Sequence, residues 1–137
     1  MKGIKNIRLK DYDYSQNGYY FVTICTNYRQ PYLAKFSNEI QGAIERLNEI
    51  DGIKVDYYTI LPSHIHLILI LNECKSHLGE IIRRFKASIS KKAKIKLWQP
   101  NYYEHVIRNE QALFKIRGYI KNNPLKGKIE FEQFYEL

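Results

Sequence analysis

The alternation of hydrophobic and polar residues along the chain predicts a mixed series of strands and helices. Stretches rich in aromatic and β-branched residues favour strands at residues 19–26, 53–61, 64–71 and 102–108. Elsewhere hydrophobic residues recur at helical spacing, which favours helices at residues 38–50, 76–97 and 109–122. Asp51-Gly52 is expected to end the first helix, and Asn123-Pro124 to end the last.

The order of these predicted elements is β-α-β-β-α-β-α, and all but the last match the split βαβ plan of ferredoxin-like folds. We therefore expect an α+β fold, with an antiparallel sheet covered by helices on one face and a further helix at the C-terminal end. The almost wholly apolar stretch 64–71 favours a central strand that is covered on both sides. No repeat or linker interrupts the pattern, so we predict a single domain over residues 1–137.

Charge adds a candidate partner to this picture. The formal net charge is +8 and the pI is about 9.4, which points to a polyanionic partner such as nucleic acid. From charge alone, a basic protein without such a partner is an equal alternative. Cys25 and Cys74 form no metal-spaced pair, which argues against a zinc ribbon or a disulfide scaffold. The N-terminal residues carry no apolar signal segment and no stretch reaches membrane-spanning length. We expect a cytoplasmic protein that does not enter membranes and, if it binds DNA, associates with the nucleoid.

The strand predicted at residues 64–71 begins with a candidate metal site. Alternate residues of a strand share a face, so the imidazoles of His64 and His66 should project to the same side. Neutral imidazole is a common metal ligand, and an unpaired imidazole at the start of such an apolar strand would be costly. The alternative is that two histidines lie on a polar face by chance.

Tyr119, in the last predicted helix, is a candidate nucleophile. A tyrosine hydroxyl can attack phosphorus and form a covalent phosphotyrosine link if a cation polarises the phosphate. Asn123 follows one helical turn later, and its side-chain oxygen could supply a third ligand beside the two histidines. The alternative for Tyr119 is packing, because the chain contains 12 tyrosines.

The long helix predicted at residues 76–97 carries many cations outside its apolar stripe. Such cations could follow a DNA backbone, or they could form an ordinary solvated face. The candidate DNA contacts on this helix are Arg83, Arg84, Lys86, Lys91 and Lys92.

Aromatic residues after this helix could stack on the bases of a single strand, and the candidates are Trp98, Tyr102 and Tyr103. The alternative for each is core packing at the helix–strand junction. His105 should share a strand face with Tyr103 and could contact a phosphate. A structural role for His105 is favoured, because no spacing ties it to the pair of histidines.

These residues resemble a known family. PSHIHLILI is similar to the His-hydrophobe-His motif of the HUH-type single-tyrosine transposases, and LWQPNYYEHVIRNE and IRGYIKNNPLKGKI are similar to two later blocks. With YFVTICT near the start, the resemblance extends from about Tyr19 to Ile129. The His-x-His motif alone is weak, whereas the ordered set of blocks is specific.

The resemblance implies a ferredoxin-like core in which the C-terminal helix is catalytic. It implies that His64 and His66 bind Mg²⁺ or Mn²⁺, and that Tyr119 forms a 5′-phosphotyrosine and releases a 3′-hydroxyl. Asn123 falls where insertion-sequence members typically have a glutamine ligand, so the third ligand departs from the family pattern but keeps an amide oxygen. The implied substrate is single-stranded DNA, often a hairpin or palindromic repeat at the end of an element.

Two branches of the family are open, and the residues of the two later blocks favour the REP-associated tyrosine transposases. The other branch comprises mobile insertion-sequence transposases, which are often dimers that exchange tyrosines, so the chain is expected to be a monomer or a homodimer. Three other functions stay possible from the residues alone. They are a non-catalytic nucleic-acid-binding module, a domesticated transposase that binds without cutting, and a metal-dependent hydrolase that uses Glu104 or His105 as a further ligand.

Overall fold

The computed structural model describes residues 17–122 and 134–135. Its strands are β1 (Gly18–Cys25), β2 (Ile53–Ile60), β3 (His64–Leu71) and β4 (Tyr103–Ile107). Its α-helices are α1 (Ser37–Glu49), α2 (Leu78–Ala93) and α3 (Glu110–Asn122). The types and order of the elements predicted from the sequence are confirmed. Two short 3-10 turns, at Asn27–Arg29 and Leu33–Phe36, connect β1 to α1.

The strands form one four-stranded sheet in the order β2-β3-β1-β4, and all neighbouring pairs are antiparallel. This order is that of the ferredoxin-like fold, which confirms the predicted α+β architecture. β1 and β3 are central, and each is bonded on both edges. The candidate histidines at the start of β3 are therefore held by a strand whose position is fixed from both sides.

The face of the sheet that α1 and α2 cover carries the larger hydrophobic cluster. Side chains alternate along a strand, so Ile65, Leu67 and Leu69 of β3 join Tyr20 and Val22 of β1 on this face. The two helices complete the cluster with the residues Ile40, Ala43, Ile44, Leu47, Leu78, Ile81, Ile82, Phe85 and Ile89. Burial of these apolar stripes is what holds both helices against the sheet.

The opposite face of the sheet is covered by α3. A second cluster forms there from residues of β1, β3, β4 and α3, together with one residue near the C-terminus; its members are Phe21, Ile68, Ile107, Ala112, Leu113, Ile116, Ile120 and Phe134. The predicted placement of helices on one face is thus correct for α1 and α2, while the added helix lies on the other. Because His64 and His66 alternate with Ile65 and Leu67, they lie on the α3 side.

The second helix is shorter than the sequence predicted, since α2 ends at Ala93 and not at Leu97. Lys94 takes a left-handed conformation with φ of 60°, and its N–H donates to the carbonyl of Ser90. The chain then turns back, so that Leu97 and Trp98 are buried in the larger cluster. Helical spacing alone predicted a longer helix because the lysines that follow Ile89 fit an exposed helical face equally well.

Within the described ranges, no helix is long and apolar enough to cross a membrane.

Candidate active site

The two candidate histidines are adjacent on the α3 side of the sheet. The ring centroids of His64 and His66 are 4.9 Å apart, and the rings meet edge to face at 73°. The strand geometry that the sequence predicted for His-x-His therefore holds, with both imidazoles at the end of β3 where it begins. This separation suits two ligands that share one ion.

His66 is the more buried of the pair, with 5% of its surface exposed. Its ring stacks on Phe21 at 5.3 Å, and the hydroxyl of Thr23 lies 2.9 Å from Nδ1. Burial, with a smaller contribution from neighbouring His64, lowers the pKa of His66 to about 3. The imidazole is therefore neutral at neutral pH, which is the form that coordinates metal ions.

The chemistry of these contacts fits a metal site. A metal ion on His66 Nε2 requires the ring proton on Nδ1, where the Thr23 hydroxyl can accept it. At His64 the corresponding neighbour is the hydroxyl of Ser63, which lies 3.3 Å from Nδ1. Within the described ranges, no three His, Cys, Asp or Glu residues form a group that could hold a metal ion. The predicted third ligand, Asn123, lies outside the described residues.

Tyr119, the predicted nucleophile, lies on the same side of the sheet as the two histidines. It packs at the edge of the cluster that contains Phe21, and Phe21 in turn stacks on His66. Its ring meets that of Phe134 edge to face at a centroid distance of 5.4 Å. Partial burial raises the pKa of Tyr119, so the hydroxyl is neutral at neutral pH. The fold thus brings together, on one sheet face, residues that are far apart in the chain.

An ion pair that the sequence analysis missed fixes α3 against the sheet. The guanidinium of Arg117 donates two hydrogen bonds to the carboxylate of Asp56, with N–O distances of 2.8 and 2.6 Å. The register of β2 shifts between Val55 and Tyr57, and Asp56 is the extra residue there. A carboxylate in the middle of an aromatic strand was the available clue. Thr23, whose place opposite His66 depends on strand pairing, left no comparable clue.

His105 belongs to a network with Tyr135 near the C-terminus. Its Nε2 is 2.9 Å from the Tyr135 hydroxyl, which accepts a hydrogen bond from the N–H of Arg108 and donates one to the carbonyl of Val106. The guanidinium of Arg108 lies 3.8 Å above the Tyr135 ring. These contacts support the structural alternative for His105, and its phosphate contact stays a prediction.

The three aromatic candidates, Trp98, Tyr102 and Tyr103, do not share one face of the sheet. Trp98 is only 7% exposed, and its indole N–H donates to the carbonyl of Lys86 at 3.0 Å. This placement matches the packing alternative for Trp98, since its ring has little surface to offer a base; Tyr102 is likewise in the core. Tyr103 is half-buried on the α3 side, paired with Thr23 in the sheet register. Tyr103 is therefore the aromatic candidate on the histidine face of the sheet, where Thr23 of β1 lies between it and His66.

The cations of α2 lie on the helix that covers the other face of the sheet. Arg83 and Arg84 both bond Glu80, at 2.6 and 2.7 Å, and the hydrogen bond from Arg83 is the main cause that lowers the pKa of Glu80 to about 2. The ammonium of Lys86 donates to the carbonyls of Gln99 and Asn101. Among the five predicted contacts, Lys91 and Lys92 are exposed, and the described part of the chain gives neither of them a side-chain hydrogen bond or ion pair. DNA binding by any of the five stays a prediction.

Comparison with known proteins gives the same family along most of the chain. The family model described as "Transposase IS200 like" matches residues 14–123. A REP-associated tyrosine transposase of Escherichia coli K12 is 28% identical over 115 residues, which cover 82% of this chain and 70% of that protein. An uncharacterized protein of Haemophilus influenzae is 30% identical, with 88% of each chain covered.

A solved structure agrees with these relatives. The structure of a REP-associated tyrosine transposase bound to a REP hairpin aligns with a TM-score of 0.75 and 25% identity, over 86% of this chain and 72% of that one. The residues matched by the family model, 14–123, include the whole described sheet and the three helices around it. The chain therefore belongs to the IS200-like transposases, a family of DNA-cleaving enzymes that act in transposition.

Proposed function

We propose that the chain is a single-strand DNA endonuclease and strand transferase that uses Tyr119 as its nucleophile. The observation that carries the proposal is the position of Tyr119 on the same sheet face as His64 and His66. Phe21 links them, since it belongs to the Tyr119 cluster and stacks on His66. A tyrosine hydroxyl and a candidate cation-binding pair on one sheet face are the groups that metal-assisted phosphoryl transfer by a tyrosine uses.

The chemistry balances without a nucleotide cofactor. The Tyr119 oxygen attacks the scissile phosphorus and loses its proton to solvent, while the bond from phosphorus to the 3′ oxygen breaks and that oxygen takes up a proton. The protein is then joined to the 5′ end of the DNA. A 3′-hydroxyl of another strand attacks the phosphotyrosine in the reverse sense, which rejoins the DNA and regenerates Tyr119.

His64, His66 and Asn123 are proposed to hold a Mg²⁺ or Mn²⁺ ion. An ion held there would supply positive charge to polarise the scissile phosphate. The chain's own residues prepare for it: burial keeps His66 neutral, and Thr23 and Ser63 orient the imidazole rings through Nδ1. The pair supplies only part of an ion's ligands, so phosphate oxygens and water are expected to complete the set.

The proposed substrate is a DNA hairpin or palindromic repeat end with unpaired nucleotides. A relative that shares the fold is described in complex with a REP hairpin, and the net charge of +8 favours a polyanion. The proposal includes action in the cytoplasm, associated with the nucleoid, as a monomer or a homodimer. If the chain is a homodimer, Tyr119 could act in its own subunit or in the second one. Activity assays on mixtures of wild-type and variant chains distinguish the two.

The direct test is to incubate the protein with a 3′-labelled hairpin oligonucleotide and Mn²⁺ and to look for a covalent adduct on a denaturing gel. Tyr119→Phe should abolish both adduct and cleavage. Tyr58→Phe is the matched control, because Tyr58 is exposed on an edge strand and pairs in register with Leu67, on the face away from the histidines. Tight binding without an adduct in the wild type would favour the non-catalytic or domesticated alternative.

Cleavage that persists in Tyr119→Phe would favour the metal-dependent hydrolase instead. That alternative needed Glu104 or His105 as a further ligand. Glu104 pairs in register with Val22, so it lies on the face covered by α1 and α2, away from His64 and His66. His105 is bonded to Tyr135. Both placements favour the tyrosine mechanism over the activation of water.

A further inference from the structure

The turn that follows β1 holds an aromatic ring and a guanidinium out in solvent. Tyr28 is 84% exposed, the largest value among the exposed large hydrophobic residues of the described chain, and Arg29 is also exposed. Both residues take left-handed conformations, with φ of 54° and 55°. This conformation is costly for residues other than glycine, so the surrounding structure must hold it in place.

The bonds that hold this turn are well defined. The Thr26 hydroxyl donates to the carbonyl of Gln30 at 2.7 Å, and the N–H of Arg29 donates to the carbonyl of Thr26 at 3.0 Å. The N–H of Asn27 donates to the carbonyl of Leu97 at 2.8 Å. These bonds define the backbone conformation of the turn, from which Tyr28 and Arg29 extend into solvent.

The same turn is attached to the strand that carries the histidines. The N–H of Thr26 donates to the carbonyl of Ser63 at 2.9 Å, and Ser63 directly precedes His64. Cys25, the residue before Thr26, pairs with His64 in the sheet register. Tyr28 and Arg29 thus lie at the end of the sheet where the metal-binding pair is located.

A second exposed segment adjoins the turn on its other side. Lys94, Ile95 and Lys96 are all exposed, Ile95 at 45%, and they immediately precede Leu97, whose carbonyl binds the turn. Neither segment contains an acidic residue. We call the surface made by residues 28–29 and 94–96 the rim.

We propose that the rim binds the unpaired nucleotides that flank the scissile phosphate. Tyr28 stacks on a base, and Arg29, Lys94 and Lys96 contact backbone phosphates. Unpaired bases expose the flat faces that an aromatic side chain can stack on, whereas the bases of a duplex already stack on each other. The combination of an outward ring with neighbouring cations therefore fits single-stranded DNA better than a hairpin stem or an acidic protein. This inference rests on the proposed function, because it assumes that DNA is cut at the His64–His66 pair.

The test measures binding without chemistry. In a Tyr119→Phe background, fluorescence anisotropy compares a labelled hairpin that carries an unpaired extension with the same hairpin without one. Tyr28→Asn removes the ring and keeps a residue that tolerates a left-handed backbone. We expect it to weaken binding of the extended hairpin by about tenfold, with Tyr28→Phe close to wild type and the blunt hairpin unaffected. Phe114→Ala is the matched control, because Phe114 is 74% exposed on α3.

Charge is tested separately. Lys94→Gln combined with Lys96→Gln should reduce the slope of log affinity against log salt by about 1.4, as expected for two single-strand phosphate contacts. Equal losses for the extended and blunt hairpins, or a Tyr28→Asn variant that binds like Phe114→Ala, would overturn the rim. If the wild type forms no covalent adduct but Tyr28→Asn still weakens binding of the extended hairpin, the tyrosine chemistry alone is overturned. Adduct formation with no Tyr28 effect would overturn the rim alone.

Discussion

At the scale of single residues, the neighbours of His66 decide what its imidazole can do. The ring stacks on Phe21, and its Nδ1 lies within hydrogen-bond distance of the Thr23 hydroxyl. The sequence predicted His64 and His66 because alternation along one strand is a local property. It could not predict Thr23, whose contact with His66 depends on strand pairing between residues 43 positions apart.

Replacing Thr23 tests this arrangement. Thr23→Val keeps the shape of the side chain and removes the hydrogen bond to Nδ1, so Mn²⁺ affinity should fall by about 10–100-fold, as for other partners of metal-binding histidines. Titration calorimetry with Mn²⁺ measures the change. Thr59→Val is the matched control, because Thr59 pairs with His66 from the other neighbouring strand. Equal losses in both variants, or none in Thr23→Val, would contradict the role of the hydroxyl.

At the scale of elements, the position of α3 is the feature that makes a site. The sequence predicted the helix from its apolar stripe, but the stripe does not say which sheet face it covers. In the structure, α3 buries Leu113, Ile116 and Ile120 on the histidine side, and Arg117 pins it to Asp56 of β2. Residues 61 positions apart make that ion pair, so spacing along the chain could not reveal it.

The ion pair is expected to matter more for rate than for stability. Arg117→Met should slow adduct formation at saturating DNA by about tenfold, because small displacements of a nucleophile are costly to the rate. Arg117 is 41% exposed, so the loss in unfolding free energy should stay within about 1 kcal/mol. Single-turnover assays and thermal melts measure the two effects. Arg46→Met, which removes an exposed cation of α1 outside the proposed site, is the control and should leave the rate unchanged. A large fall in melting temperature without a rate effect in Arg117→Met would refute this role.

The end of α2 offers a second test at this scale. Lys94 is left-handed at the helix end, where glycine carries no steric penalty. Lys94→Gly should therefore raise the unfolding free energy by about 0.5–1 kcal/mol, while it weakens binding of unpaired DNA. Thermal melts and anisotropy measure these opposite effects, and Lys92→Gly, inside the helix, should lower stability instead. A destabilised Lys94→Gly would contradict a steric penalty for lysine at this position.

At the scale of the whole molecule, the basic residues differ in how much positive charge they can offer to DNA. Sequence reasoning found the excess of +8 and the basic helix, but could not see which cations have partners. In the structure, Arg83 and Arg84 share the carboxylate of Glu80, which offsets part of their charge. The ferredoxin-like topology was predictable because element order and periodicity are properties of the chain. The two-sided arrangement of helices was not, because it depends on tertiary packing.

This difference predicts unequal contributions to DNA binding. Lys91→Gln with Lys92→Gln should reduce the salt slope of single-strand binding by up to about 1.4, if both lysines contact phosphates. Arg83→Gln with Arg84→Gln should reduce it by less, because both arginines are already bonded to the Glu80 carboxylate, which competes with phosphate for their guanidinium groups. Binding isotherms at several salt concentrations measure both slopes. A larger effect for the arginine pair would mean that DNA follows the beginning of α2.

The central claim is that Tyr119 becomes covalently joined to DNA, and peptide mapping of the adduct by mass spectrometry tests it most directly. The chain contains 12 tyrosines, so the identity of the modified residue is informative. After reaction with a hairpin substrate and Mn²⁺, nuclease trimming and proteolysis, we expect the nucleotide remnant on Tyr119. The remnant on any other tyrosine, or cleaved DNA with no modified tyrosine during turnover, would contradict the account.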